Sequence, residues 1–271
     1  MKVGVYGLGR FGAFWASMLA RKFTVVGFNR SKGRVIPGDI NVVPEEEAVQ
    51  ADALFLCVSI SSFERVVERI APIIGKNTVV FDTCSVKVHP VEVMKAKLPE
   101  DNEIIASHPM FGPDSAREGL DGLPMVFCPI HARQETVEFW RSVFEEYRLH
   151  VLEMSPHEHD RKAAYTQGIT HFIGRLLEGL DLEESRMGTV GYHKLLDIVE
   201  QTCNDPMQLF IDLQKYNPYT KDMWDDISRS FEKTLHLLDA PANSGGSANS
   251  GESSNSGGSE DSSGTANSGR Y

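Results

Sequence analysis

Short, nearly unbroken apolar runs recur along the first half of the chain: Val3–Tyr6, Phe23–Phe28, Ala53–Val58 (ALFLCV), Thr78–Asp82 (TVVFD) and Glu103–Ser107 (EIIAS). Runs this short suit strands better than helices, and their lack of alternation implies burial on both faces. Amphipathic stretches separate them, beginning with a helix through Arg21 and continuing with Ser62–Ile74. Met125–Cys128 and Arg148–Glu153 add two more short strands around a helix at Glu135–Tyr147. Strands alternating with helices in this way predict a parallel, doubly wound α/β sheet covered on both faces.

The pattern changes at Ser155. Ser155-Pro156-His157-Glu158 is a capping box with proline at the first helical position, a strong helix start. Beyond it the spacing predicts only helices, over roughly 156–179, 189–203, 206–216 and 219–238, interrupted at Gly179, Gly188 and Asn217-Pro218. The expected organisation is an α/β domain over 1–153 and an all-helical domain over 154–239. From Ala240 the chain reads almost entirely Ser, Gly, Asn, Ala and acids. Residues 240–271 are therefore expected to be a disordered tail, lacking the apolar surface to offset chain entropy.

Charge changes the picture only by exclusion. The formal net charge is −11, and the tail holds just three acids and one base, so the body is acidic. That counts against nonspecific binding to nucleic acid or anionic membranes. Four cysteines without a CxxC pair read as reduced thiols of a cytoplasmic protein. The N-terminus enters a strand directly and lacks a signal-peptide pattern, and no run of about 18 apolar residues exists to span a bilayer.

Candidate chemistry begins at the first turn. Gly7, Gly9 and Gly12 form GxGxxG between a strand and a helix, the fingerprint of a Rossmann dinucleotide site. The first glycine permits a tight turn, the second admits the pyrophosphate, and the third lets helix and strand pack closely. Arg10 and Phe11 lie within the loop, while Val58 and Ser59 at the end of the third main strand complete the candidate cofactor contacts. The second strand ends in Asn29-Arg30-Ser31-Lys32, without the acid that holds the ribose of NAD. Arg30 can pair with a 2′-phosphate and Ser31 can hydrogen-bond it, with Lys32 or Arg34 adding charge. The expected cofactor is NADP, with NAD the less favoured choice.

Two further segments leave strands at the carboxyl edge of the sheet, where ligands bind in such folds. They are Asp82-Thr-Cys-Ser85-Val-Lys87 and Ser107-His108-Pro-Met-Phe-Gly-Pro113; a third, Thr166-Gln167-Gly-Ile-Thr170-His171, lies on the first helix of the helical part. HPMFGP at 108–113, SVK at 85–87, EMSPHEHDRKAAYTQGITHFIGRLLE and GTVGYHKLLDIVEQTCNDPMQLFIDLQKYNP together resemble the prephenate/arogenate dehydrogenases, and most of all the plant-type arogenate enzymes. The resemblance runs in order through nearly all of residues 1–238. It implies a Rossmann domain followed by a helical domain similar to that of 6-phosphogluconate dehydrogenase. It also implies NAD(P)-dependent oxidative decarboxylation of arogenate to tyrosine, or of prephenate to 4-hydroxyphenylpyruvate.

By that likeness His108 is the catalytic base and Ser85 a hydrogen-bonding partner of the reacting hydroxyl. Ser85 has a plainer alternative as a cap for the following helix. Gln167, Thr170 and His171 would face substrate, with Gln167 and His171 sharing a helical face. No metal is expected: His157 and His159, at i and i+2, do not face one another on a helix. Thr202 and Asp205 match the arogenate pattern, where an aspartate would pair with the substrate ammonium; Asp205 before Pro206 also reads as a helix cap.

One departure concerns the substrate carboxylate. Many bacterial relatives carry an arginine five residues before the Asp-Pro, and here that position is Glu200. Arg161, Lys162, Arg175 and Lys194 are the candidate replacements. Apolar positions at Ile169, Phe172, Ile173, Leu176, Leu177, Leu195, Leu196, Ile198 and Val199 fit the family's homodimer, with an internal core as the alternative. Rival readings are a β-hydroxyacid or 6-phosphogluconate-like dehydrogenase, which would use a lysine of the helical part, and a noncatalytic NADP-sensing protein.

Overall fold

The structure is a computed structural model that describes residues 1–31 and 40–239. The expectations for Lys32, Arg34 and the tail from Ala240 lie outside the described residues. Residues Met1–Ser228 form one compact unit and a second begins at Arg229.

Eight strands form one sheet in the order β3-β2-β1-β4-β5-β6-β7-β8. They are β1 (Lys2–Tyr6), β2 (Thr24–Phe28), β3 (Asn41–Val42), β4 (Ala53–Leu56), β5 (Val79–Asp82), β6 (Ile104–Pro109), β7 (Pro124–His131) and β8 (His150–Glu153). The doubly wound Rossmann architecture is the one expected from the apolar runs. The two-residue edge strand β3 and the single-turn helix α2 (Glu45–Ala48) carry too little pattern to be legible in advance.

One strand runs against the expectation of a parallel sheet. β7 pairs antiparallel with β6, placing His108 opposite Val126, and β8 then pairs parallel with β7. A parallel return requires a crossover element, usually a helix. The link over 110–123 contains Gly112, Pro113, and the positive-φ Gly119 and Gly122, and no helix forms in it. The chain turns back without crossing. Only α5 (Gln134–Glu146) restores the crossover, before β8.

Alternate residues of the central strands feed two cores. Phe55 and Phe81 lie in register on β4 and β5, stack at 4.4 Å, and pack with Trp15 of α1 (Arg10–Leu19) and Trp140 of α5. Their neighbours Leu54, Leu56 and Val80 face the opposite way. There they meet Phe63 and Val67 of α3 (Ile60–Ile70) and Met94 of α4 (Val88–Lys97). Burial on both faces accounts for the missing alternation that the apolar runs display.

The helical part comprises α6 (Pro156–Ala163), α7 (Ile169–Glu178), α8 (Val190–Cys203), α9 (Met207–Tyr216) and α10 (Thr220–Asp239). Ser155 caps α6 as its sequence requires, its hydroxyl accepting from the Glu158 N–H at 3.2 Å. The continuous helix expected over 156–179 is broken by a π-helical turn at Ala164–Gly168. Widened turns of this kind often occur at functional sites. Here the turn is held from outside, as Gln214 donates to the Gly168 carbonyl at 2.9 Å.

Candidate active site

The glycine loop meets the demands of a dinucleotide cradle. Gly7 adopts φ +98°, a region disfavoured for other residues, and a β-carbon there would lie 2.4 Å from the Cys57 carbonyl oxygen. A β-carbon on Gly12 would sit 1.8 Å from the Gly7 carbonyl oxygen, so only glycine lets α1 approach the turn. Gly9 faces open space at the N-terminus of α1, which receives no side-chain cap. Unpaired helix N–H groups beside an open cradle suit a pyrophosphate.

The other expected cofactor residues take distinct places. Asn29 accepts from the Leu8 N–H at 3.2 Å and donates to the Ser31 carbonyl at 2.8 Å. It therefore shapes the turn that presents the exposed Arg30 and Ser31. Arg10 pairs with Asp114, beyond the HPMFGP segment, and Phe11 stacks on Trp15 with ring centroids 5.7 Å apart. The Phe11 ring thus packs against the core. Ser59 donates to Ser62 at 2.8 Å, and Val58 lies beside Gly7.

At the carboxyl edge, His108 ends β6 almost wholly buried, at 3% exposure. Its backbone is anchored through Ser107. The Ser107 N–H donates to Asp82 Oδ2 at 3.3 Å, the Ser107 hydroxyl donates to the Asp82 carbonyl at 2.6 Å, and Lys87 Nζ donates to the Ser107 carbonyl at 2.5 Å. Lys87 and Asp82 form a salt bridge with both side chains wholly buried. Breaking one partner of such a pair leaves an uncompensated charge and costs about 3–5 kcal/mol.

The His108 side chain opens a hydrogen-bonded series. His108 Nδ1 lies 2.9 Å from His159 Nε2, and His159 Nδ1 lies 2.7 Å from Asp160 Oδ1. Asp160 also accepts from the backbone N–H of Lys87 at 2.7 Å and of Val88 at 2.9 Å, capping α4 from a different helix. A carboxylate only accepts, so His159 Nδ1 must carry the proton and its Nε2 must accept. His108 Nδ1 then donates, which leaves the Nε2 lone pair of a neutral His108 without a partner among the described residues. Burial holds the His108 pKa well below its usual value, reinforced by neighbouring His159 and Lys87. Burial also lowers His159, against the pull of its hydrogen bond to Asp160. A neutral imidazole held in this way can act as a general base.

Sequence reasoning missed His159 and Asp160, having considered His159 only beside His157 as a metal pair and set that aside. His157 goes elsewhere, with Nδ1 3.0 Å from the Tyr219 hydroxyl. The available signal was His-Asp one turn into a capped helix.

Ser85 is half-buried between β5 and α4, and no hydrogen bond engages its hydroxyl among the described residues. It does not cap α4; Asp160 does. β5 and β6 pair in parallel with Asp82 opposite Ala106, so Ser85 and His108 follow adjacent strand ends.

On the helical part, Gln167 and His171 keep buried polar atoms without partners, and His171 Nε2 stands 4.0 Å from Asp205 Oδ2. Thr170 is half-buried and its hydroxyl donates to the Thr166 carbonyl at 2.9 Å. Thr202 is buried where α8 crosses α7 at Gly174, and its hydroxyl donates to the Ile198 carbonyl at 2.7 Å. A structural role thus occupies the Thr202 hydroxyl. Asp205 does not cap α9, whose first turn has no side-chain cap, so its carboxylate is left to His171 and the solvent.

A dinucleotide cradle joined at one sheet edge to a neutral, oriented histidine defines the class as a nicotinamide-dependent dehydrogenase. Residues 19–153 match the family model described as prephenate dehydrogenase, nucleotide-binding domain. Residues 176–247 match the TYRAAT1-like C-terminal domain. Arogenate dehydrogenase 2, chloroplastic, of Arabidopsis thaliana is 34% identical over 251 residues, covering 88% of this chain and 70% of its own length. Arogenate dehydrogenase 1 of the same plant is also 34% identical and covers 86% of this chain, which spans only 38% of that longer relative. Among solved structures, Aquifex aeolicus prephenate dehydrogenase with hydroxyphenyl propionate and NAD+ superposes with a TM-score of 0.69 at 19% identity. That match covers 89% of this chain and 92% of the other, and shows the shared fold.

The chain belongs to the prephenate/arogenate dehydrogenase family.

Proposed function

We propose that the protein catalyses the NADP-dependent oxidative decarboxylation of arogenate to tyrosine, with prephenate as the weaker substrate. The His108–His159–Asp160 series carries this reading, because it delivers an unprotonated Nε2 to the carboxyl edge of the sheet. When bound, the nicotinamide supplies the hydride acceptor for C4 of the cyclohexadienol ring. His108 Nε2 takes the proton of the C4 hydroxyl as the carbonyl character at C4 develops. Ser85 holds that hydroxyl and aligns the ring, and orientation of this kind is worth up to about 7–11 kcal/mol of barrier. Loss of the ring carboxylate as CO₂ returns its electron pair to the ring and aromatises the product, so the chain need supply no nucleophile.

Comparing arogenate and prephenate, each with NADP and NAD, tests the assignment. Arogenate with NADP is expected to give the highest kcat/KM, and the reading fails if neither substrate reduces NADP.

Arg30 and Ser31 support NADP, being exposed at the end of β2 with no acid beside them. Arg30→Ala is expected to raise KM for NADP about 10- to 100-fold while leaving NAD use unchanged. That range follows from the ~1.5–3 kcal/mol of a hydrogen bond to a charged group. An equal effect on both cofactors would place Arg30 outside the 2′-phosphate site.

Asp205, uncommitted to any cap, supports selection of an ammonium group. Asp205→Asn is expected to shift kcat/KM toward prephenate by about tenfold, the size of a ~1.4 kcal/mol charge preference. Unchanged selectivity in steady-state competition would remove Asp205 from substrate choice.

The active assembly is read as a homodimer. None of the nine apolar residues from Ile169 to Val199 named above is fully buried, and the neighbouring Leu180, Met187 and Val190 are 63%, 92% and 76% exposed. An internal core covers these faces only in part, which supports a second copy on them. Four free cysteines fit a reducing, cytoplasmic setting, with burial pushing Cys57 and Cys128 up to about 12. Among the described residues, no helix is long and apolar enough to cross a membrane.

A further inference from the structure

Position 200, where many bacterial relatives place a substrate-binding arginine, is an exposed glutamate on α8. The helix carrying His171 offers a different solution. His171 and Arg175, four residues apart, share one face of α7, and Gln167 lies on the π-turn that leads into it. Each retains a buried polar atom without a hydrogen-bond partner: Gln167 Oε1, His171 Nδ1 and Arg175 Nε. Three such atoms within nine residues of chain are unusual, because buried polar groups in native proteins nearly always find partners. A polar ligand would complete them.

We propose that Arg175 anchors the side-chain carboxylate of the substrate, in place of the arginine absent at position 200.

Arg175 is mostly buried, with its side chain 11% exposed. Two bonds hold its guanidinium in place: Nη2 donates to the Asp205 carbonyl at 2.8 Å and Nη1 pairs with Glu178 at 2.9 Å. Both partners leave Nε–H undonated. The tether to Asp205 brings the guanidinium beside the residue whose carboxylate is 4.0 Å from His171. A fixed cation and an aspartate side by side form a dipole that matches an α-amino acid, carboxylate toward Arg175 and ammonium toward Asp205. The other candidate cations have different employment. Arg161 lies over the Tyr219 ring at 5.0 Å, and Lys162 pairs with Glu158 at 2.8 Å on the exposed side of α6. Lys194 is exposed on α8.

This assignment rests on the arogenate reading, and the test separates the two. Binding is measured first on the full chain with NADP present, by calorimetry with tyrosine and with tyramine, which keeps the ring and ammonium but lacks the carboxylate. Wild type is expected to favour tyrosine by about 30-fold or more, the scale for truncating one partner of a buried charge pair. Arg175→Gln should abolish that preference and raise KM for arogenate by a similar factor. Its kcat should stay within about threefold, and Arg175→Lys should recover part of the loss. Equal binding of tyrosine and tyramine by wild type overturns the anchor, and so does an Arg175→Gln enzyme whose KM is unchanged or whose loss lies only in kcat. Absence of wild-type turnover on arogenate would sink the activity instead, while the two-ligand comparison of wild type with Arg175→Gln still decides on Arg175. Should Arg175→Gln fail to fold, Arg175→Lys carries the test: a tyrosine preference and a KM for arogenate equal to wild type would overturn the anchor.

Discussion

Replacing His108 with asparagine is expected to lower kcat by about 10²- to 10⁴-fold, the range supplied by a positioned general base. KM for NADP should hardly move, because the cradle at Gly7, Gly9 and Gly12 belongs to a different strand end. Asparagine can donate toward His159 as Nδ1–H does, so the fold keeps its hydrogen bond while losing the titratable lone pair. A turnover rate within threefold of wild type would remove His108 from the proton transfer. The pH profile gives a second reading. Burial, His159 and Lys87 keep the His108 pKa well below 6.5, so the free base persists into mildly acidic solution. Activity should therefore fall only on acidification well below that value, and this acid limb should disappear from the residual rate of His108→Asn. Stability has the same sign. His108 and His159 bind protons less readily when folded than when unfolded, so their contribution is fully present above about pH 6.5. It is lost as pH falls from there through the lowered folded values.

How much of this was legible in advance depends on whether the information is local. The strands and the glycine turn were, because unbroken apolar runs and GxGxxG impose their geometry on their own residues. Residues adjoining strand ends, such as Ser85 and His108, were also within reach, since the fold sends every such end to one edge of the sheet. The reversed strand β7 was not. Its direction follows from a missing helix in a glycine-containing link, and a strand of four or more apolar residues reads the same in either direction. The π-turn at Ala164–Gly168 was equally hidden. It is held partly by a side chain 46 residues away, as Gln214 donates to Gly168. Among polar residues the boundary is similar. Ser155 could be recognised as a cap because its partner is three residues on, whereas the cap of α4 is Asp160, which lies 72 residues beyond the Val88 N–H it accepts. The local signal at Asp160 is only its place beside His159 on a capped helix; its bonds to α4 leave no mark in the sequence around it.

That long-range cap makes Asp160 the position where fold and chemistry meet, and Asp160→Asn is expected to damage both. An amide has one accepting oxygen where the carboxylate has two. Oδ1 serves both the Lys87 N–H and His159, and Oδ2 serves the Val88 N–H. If the amide oxygen stays on Val88, the NH₂ group takes the place of Oδ1, opposes the Lys87 N–H and turns toward His159 Nδ1, which must then accept. The His159 proton moves to Nε2, where it donates to His108 Nδ1, and the His108 proton is driven onto Nε2. The base would then present an N–H where a lone pair is needed. A wrong tautomer of this kind in a Ser-His-Asp triad costs about 10⁴ in kcat, and a fall of about 10²- to 10⁴-fold is expected here. If the amide turns the other way, its NH₂ group opposes a backbone donor at the start of α4. The lost cap then costs about 1–2 kcal/mol, seen as a Tm lower by about 2–8 °C for a chain of this size. Thermal unfolding and steady-state rates measured on the same preparation separate these outcomes. A kcat within threefold of wild type, with Tm reduced, would mean that the amide oxygen keeps His159 and the NH₂ group opposes Val88, and would overturn the expected loss of turnover. Restored turnover toward alkaline pH is not expected for Asp160→Asn, because the lesion is the position of a proton on neutral imidazole and not its ionisation.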